Sequence, residues 1–279
     1  MATPLSRRRV LGGLAGAFAF PTAANAETRL AAKEYFETAR VELLVPGLHP
    51  SHDGITIAQL SDLHVGAGVP SGRILAAVRA LNDAQPDLAV LTGDFVTTRL
   101  DPVAMVPEVL KGITAPTFAV LGNHDHRTDA PGITEKLEGI GYAVLQNQHS
   151  CVYLRGAPFT VLGMDDSTTK HHDPEATFKG APKAGSRLVL THTPTGAKAL
   201  PPDENLVVLS GHTHGGQVHI PGLTEGLFAR AGQPYVRGLH QVNGNQLYVN
   251  RGMGFGKGSP FPRLNSDPEL TILTLRAAL

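Results

Sequence analysis

Short apolar runs alternate with longer amphipathic stretches along most of the chain. The runs at 55–60, 88–92, 117–121, 187–191 and 206–210 are rich in Leu, Val, Ile and Thr and end at small or turn-forming residues, so they predict buried strands. Between the early runs the apolar period lengthens to that of a helix. Ile74, Leu75, Val78 and Leu81 share one face of a helix expected from a Ser71 cap to about Asn82. Further helices are expected around 103–111 and over 131–140, the latter with Pro131 in its first turn. Residues 39–45 alternate and predict an edge strand, and 46–53 form a turn-rich loop. Strands in meander spacing are predicted at 142–145, 151–154 and 159–164, followed by a polar loop over 165–179. Shorter strands at 218–221, 246–250 and 270–275 flank a Gly/Pro-rich excursion. Alternation of strands and helices implies βαβ units and mostly parallel pairing, an α/β fold.

The five apolar runs named first share a second property. Each stops at a small residue and then presents Asp, Asn or His: Asp62 and His64, Asp94, Asn123 and His124, His192, and finally His212 and His214. In parallel sheets, ligands bind at the carboxyl ends of the strands. These eight residues, remote in sequence, are therefore expected to meet on one edge. In Gly211-His212-Thr213-His214-Gly215-Gly216 the two histidines would point the same way if the backbone were extended, and the glycines would let a ligand approach the chain.

Composition narrows the chemistry. Basic and acidic residues balance at 24 each, so nothing marks a polyanion-binding face and nucleic acid is not expected as an obligate partner. Trp is absent, which argues against stacking platforms for sugars or bases. The single cysteine, Cys151, rules out an intrachain disulfide and a multi-thiolate zinc site, and it reads as a small buried hydrophobe in a strand. Thirteen histidines, several beside Asp and Asn, leave imidazole and oxygen as the metal donors. Two carboxylates, one amide and several imidazoles are too many for one closed zinc site. They suit two divalent ions sharing a carboxylate, with manganese, iron or zinc favoured. Two such ions carry about +4, which two aspartates reduce to about +2, leaving a centre that attracts phosphate.

The N-terminus reads as an address. Arg7, Arg8 and Arg9 precede a weakly apolar run from Val10 to Phe20, and Ala24-Asn25-Ala26 forms a small-x-small cleavage pattern. The arginine pair resembles a twin-arginine export signal. The expected division is a signal peptide over 1–26 and one domain over 27–279, exported to the periplasm or an equivalent compartment; the competing reading is an uncleaved anchor helix.

The ordered motifs Asp62-x-His64, Gly93-Asp94, Gly122-Asn123-His124-Asp125, His192 and Gly211-His212-Thr213-His214 resemble those of the calcineurin-like metallophosphoesterases. The resemblance spans about Ile55 to Leu275. Gly215-Gly216-Gln217 and Tyr248-Val249-Asn250-Arg251-Gly252 are similar to the exported or membrane-associated phosphodiesterase branch. It implies a four-layered α/β/β/α sandwich with mixed sheets and a metal site at strand carboxyl ends. It also implies roles: Asp62, His64 and His214 for a first metal, Asp94 as bridge, Asn123, His192 and His212 for a second, and His124 as the phosphate-contacting catalytic residue. One position departs: many members carry an aspartate that pairs with the catalytic histidine where this chain has Thr97.

The function expected from the resemblance is a phosphodiesterase in which a metal-bound hydroxide attacks phosphorus. Alternatives are a phosphomonoesterase, a pyrophosphate hydrolase on nucleotide-linked lipids, a non-catalytic metal-binding module, or a metal-storage protein. A small phosphorylated substrate is the expected partner, with lipid linkage and peripheral membrane association left open. Among other residues, Asp165 and Asp166 read as turn formers, His171 and His172 as solvated loop residues, and His219 as structural. His126 and Arg127 read equally as substrate contacts or surface, and Arg251 with the run 252–258 as a lip over the site or a plain loop.

Overall fold

The computed structural model describes residues 35–66, 69–98, 101–255 and 263–278. The expected signal peptide and the cleavage site lie outside the described residues, as do residues 256–258 of the glycine-rich run after Arg251.

Two six-stranded sheets pack face to face. The first runs β1 (Glu37–Val45), β12 (Glu269–Ala277), β2 (Ile55–Leu60), β3 (Leu88–Leu91), β4 (Thr117–Ala119), β5 (Ala143–Val144). The second runs β10 (Gly238–Val242), β11 (Asn245–Val249), β9 (Val207–Ser210), β8 (Ser186–Leu190), β7 (Ala157–Gly163), β6 (Gln148–Leu154). Strands β2 to β5 are mutually parallel, as are β7, β8, β9 and β11, while β12, β6 and β10 pair antiparallel with β2, β7 and β11.

Side-chain alternation builds the layers. Ile55, Ile57, Leu88, Val90, Phe118 and Val120 of the first sheet meet Phe159, Val161, Leu188, Leu190, Val207 and Leu209 of the second. Their neighbours Ala58, Leu60, Ala89, Leu91, Ala119 and Leu121 point outward under a helical layer. That layer is α1 (Ser71–Asp83), α2 (Met105–Leu110), α3 (Asn123–Thr128) and α4 (Ala130–Glu138). Outside the second sheet, Val189, Val208, Leu247 and Val249 are covered by the turn Pro194–Ala199 and by Phe178 of α5 (Pro174–Phe178). Both faces of every central strand are thus dry, which is why those strands read as continuous apolar runs. The last helix, α6 (Leu223–Arg230), follows the histidine pair.

The expected α/β/β/α sandwich is the observed one. Several local expectations need correction. Residues 142–145 do not join a meander: β5 pairs parallel with β4 in the first sheet, and the other two strands of the expected meander, β6 and β7, form a hairpin in the second. Helix α1 begins at Ser71 behind Pro70, without a side-chain cap. The polar loop over 165–179 contains α5, capped by the Asp173 side chain. Cys151 is exposed, because β6 is an edge strand whose outer face is uncovered. Helices α3 and α6 and strand β10 were not anticipated.

Candidate metal centre

All eight residues gather where the strands of both sheets end. The chain leaves each strand by a sharp turn. Asp62, His64, Asp94, His212 and His214 all adopt left-handed backbone, with φ of 50°, 47°, 56°, 71° and 52°. Such conformations cost on the order of 1–3 kcal/mol each in non-glycine residues and persist only where the surroundings enforce them. Here hydrogen bonds between the post-strand segments enforce them: Asp62 N–H donates to Gly93 O at 2.9 Å, His64 N–H to Asp94 O at 3.1 Å and Gly211 N–H to His192 O at 3.0 Å. The condition of extended backbone at the histidine pair is therefore not met. His212 and His214 do not act side by side but serve different neighbours.

Two groups of donors result: Asp62, His64 and His214, and Asp94, His192 and His212, the donor atoms of each lying within 4.8 Å of one another. Asp94 joins them, with Oδ2 3.2 Å from His192 Nε2 and 3.8 Å from His64 Nε2. Asn123 Oδ1 lies 3.2 Å from His192 Nε2, on the side of the second group. Gly93, at φ +87°, sits so close behind that a Cβ there would lie 2.6 Å from Gly122 N and 2.9 Å from His192 Nδ1.

The donor chemistry fits cations. His192 Nδ1 is 2.7 Å from the Thr92 carbonyl, which can only accept, so Nδ1 carries a proton. In the neutral ring, Nε2 then turns a lone pair toward Asp94 Oδ2, Asn123 Oδ1 and His212 Nδ1, the last also at 3.2 Å. Burial opposes charge on His192, yet Asp94, Asp62 and Asp166 outweigh it and raise its pKa well above the ordinary imidazole value. Burial pushes the Asp62 carboxyl up and the His64 imidazole down to about 4. These are the signs of a buried acceptor cluster short of positive charge.

The partners behind the ligands went unread in the sequence. Thr97 bonds through its hydroxyl to His64 Nδ1 at 2.8 Å, and its carbonyl accepts from His124 Nδ1 at 2.9 Å. One residue so orients two imidazoles, and the acceptor that family members are expected to supply as a carboxylate is here a peptide carbonyl. Asp125, adjacent to His124, accepts from Asp94 N–H, Phe95 N–H and Gly122 N–H at 2.8, 2.9 and 2.8 Å and fixes the turn that carries Asp94. Gln59, fully buried in β2, donates to Ser210 O in β9 and to Thr92 Oγ1, both at 3.0 Å, and ties the two sheets together beneath the site. Arg263 places Nη2 3.1 Å from His214 Nδ1.

The remaining candidates fall outside the centre. Asp166 organises its own turn and accepts from Thr193 Oγ1 at 2.5 Å, beside His192. His126 bonds Asp165 at 2.6 Å and stacks on His171 with ring centroids 4.0 Å apart. His219 is buried against Glu225. Arg251 pairs with Glu37 and Glu269, and the run after it lies against the centre, with Met253 N–H and Gly254 N–H donating to Ser61 O and Asp62 O at 2.9 and 2.7 Å.

Fold and centre define a metallophosphoesterase. The chain belongs to the calcineurin-like phosphoesterase family, whose sequence signature matches residues 55–216, and it is a hydrolase acting on phosphoric ester bonds. It is 29% identical to the metallophosphoesterase YkuE of Bacillus subtilis, over 98% of both chains. It is 33% identical to phosphodiesterase YaeI of Escherichia coli, over 77% of this chain and 80% of that one. It is 27% identical to the UDP-2,3-diacylglucosamine pyrophosphatase LpxG of Chlamydia trachomatis, over 79% and 83%.

Proposed function

We propose that this chain is a phosphodiesterase that uses two divalent ions of manganese, iron or zinc and acts outside the cytoplasm after export by its arginine-led N-terminus. The observation that carries the reading is the place of the Asp94 carboxylate between two donor groups. Asp62, His64 and His214 would hold one ion, Asn123, His192 and His212 the other, with Asp94 common to both. A pair of such ions lowers the pKa of bound water and neutralises charge on a phosphoryl group.

The chain's own residues do the rest. Backbone hydrogen bonds and the Asp125 carboxylate hold the ligand turns fixed before substrate arrives, so little reorganisation is needed during reaction. His124 N–H donates to Asp94 Oδ1 at 2.9 Å, which places this histidine against the shared carboxylate. Its Nδ1–H is anchored on the Thr97 carbonyl, so it is the doubly protonated ring that would donate, through Nε2–H, to a phosphate oxygen or a leaving alkoxide. The 33% identity to a phosphodiesterase supports the diester as substrate. A second reading, cleavage of a pyrophosphate in a nucleotide-linked lipid, draws on the similarity to the diacylglucosamine pyrophosphatase.

The test is metal analysis of the purified protein together with a panel of phosphomonoesters, phosphodiesters and pyrophosphates, each with and without chelator. Diester hydrolysis abolished by chelation and restored by metal is expected. Hydrolysis indifferent to metal removal would end the reading. For export, Arg7→Lys with Arg8→Lys should retain the protein in the cytoplasm, and unaltered secretion would contradict that part.

A further inference from the structure

The segment after the histidine pair carries an apolar surface that the fold does not bury. Helix α6 packs inward through Thr224, which is buried, and Phe228, whose ring lies 3.8 Å from where a Cβ on Gly216 would sit. Its outward positions are apolar too. Leu223 and Leu227 are 54% and 55% exposed, and Ile220, just before the helix, is 48% exposed. Leu264 joins them at 53% exposure, held alongside because its carbonyl accepts from His219 N–H and its N–H donates to Gln217 O. Four large exposed aliphatic side chains on one segment and the strand-like stretch hydrogen-bonded to it are unlike the singly scattered apolar residues of an ordinary surface.

Charge and position say what this surface fits. Leu223, Leu227 and Arg230 stand at i, i+4 and i+7, so the apolar stripe ends in an exposed cation. Arg237 donates to the carbonyl of Asn265, the residue after Leu264, at 2.7 Å. The nearby carboxylate, Glu225, is turned to His219 Nε2 at 2.7 Å and to the Gly222 N–H rather than to the stripe. Aliphatic side chains that end in arginine are the pattern of a helix lying in a lipid interface, where the guanidinium reaches the headgroups. The patch is also at the rim of the metal centre: Leu264 directly follows Arg263, whose guanidinium touches His214.

We propose that Ile220, Leu223, Leu227 and Leu264 dock on an anionic lipid surface, with Arg230 and Arg237 on its headgroups, and so bring the metal centre to phosphoesters carried by that surface. The docking stands on the patch alone; only what is cleaved there rests on the phosphodiesterase reading. Sedimentation with phosphatidylcholine vesicles, with and without phosphatidylglycerol, tests it on the full chain. The wild type should bind, more tightly when phosphatidylglycerol is present. Leu223→Ser with Leu227→Ser should weaken binding about tenfold or more, as expected when two leucines stay in water. Arg230→Gln should remove part of the phosphatidylglycerol dependence. Turnover of a soluble diester, bis(p-nitrophenyl) phosphate, should be unchanged in these variants, which also reports that they fold. Vesicle binding equal in wild type and double variant, or no binding by the wild type, overturns the proposal. So does a dimer in solution that the leucine substitutions dissociate without any vesicle binding. Vesicle binding that depends on the leucines in a protein without turnover supports the docking surface and counts against the enzymatic reading instead.

Discussion

The two donor groups are alike in front and opposite behind. Each offers one carboxylate and two imidazoles at a strand end. In the second group the outer nitrogen of His192 meets the Thr92 carbonyl, an acceptor that raises the basicity of the inner nitrogen. In the first group, His64 meets the Thr97 hydroxyl and His214 meets the Arg263 guanidinium. A guanidinium can only donate, so His214 Nδ1 accepts and the neutral ring carries its proton on Nε2, the nitrogen that faces Asp62; that proton must leave for His214 to ligate, and the arginine charge opposes a cation there as well. Similar ligands therefore make unequal sites. The second group should fill first, and the first group should exchange more readily.

The largest effect should come from removing what the groups share. Asp94→Asn should lower metal content at both sites and reduce turnover by about 10³-fold or more, read by elemental analysis and diester hydrolysis. His124→Ala touches neither group of ligands. It should cost turnover about 10²–10⁴-fold while metal content stays near normal, and undiminished turnover would remove His124 from the mechanism. Thr97→Val separates the groups more finely. It deletes the hydroxyl behind His64 but keeps the carbonyl behind His124, so the affinity of the weaker cation should fall about 10–100-fold in equilibrium dialysis, with the tighter one unchanged. Arg263→Gln should act in the opposite direction. Loss of the positive charge behind His214 should tighten the weaker cation about tenfold, and weaker binding at that site would show that the arginine supports it.

How much of this could be read in advance follows from where the information lies. The central strands announce themselves because both their faces are buried, and the ligands are visible because each closes such a strand. The eight residues thus emerge from pattern alone, while their division into two groups came from a family resemblance. What stayed hidden depends on backbone conformation or on contacts between remote segments. The left-handed turns at His212 and His214 carry no hydrophobic signal, so the direction of each side chain cannot be read from the pattern. Thr97 looked like the loss of a carboxylate; its backbone oxygen, invisible to any residue-type argument, takes that position. Gln59 reads as an ordinary interruption in a strand until Ser210 appears opposite it. Short elements such as β5 and α3 are set by tertiary pairing rather than by local periodicity, and Cys151 reads as buried because an edge strand resembles a central one in sequence.

The shared carboxylate is tested most directly by paramagnetic resonance during a manganese titration of the metal-stripped protein. The first equivalent should give the spectrum of an isolated ion, and the second should convert it to that of a coupled pair, since ions bridged by Asp94 lie close enough for exchange. Two equivalents that both retain the isolated-ion spectrum, or a stoichiometry of one per chain, would contradict the account.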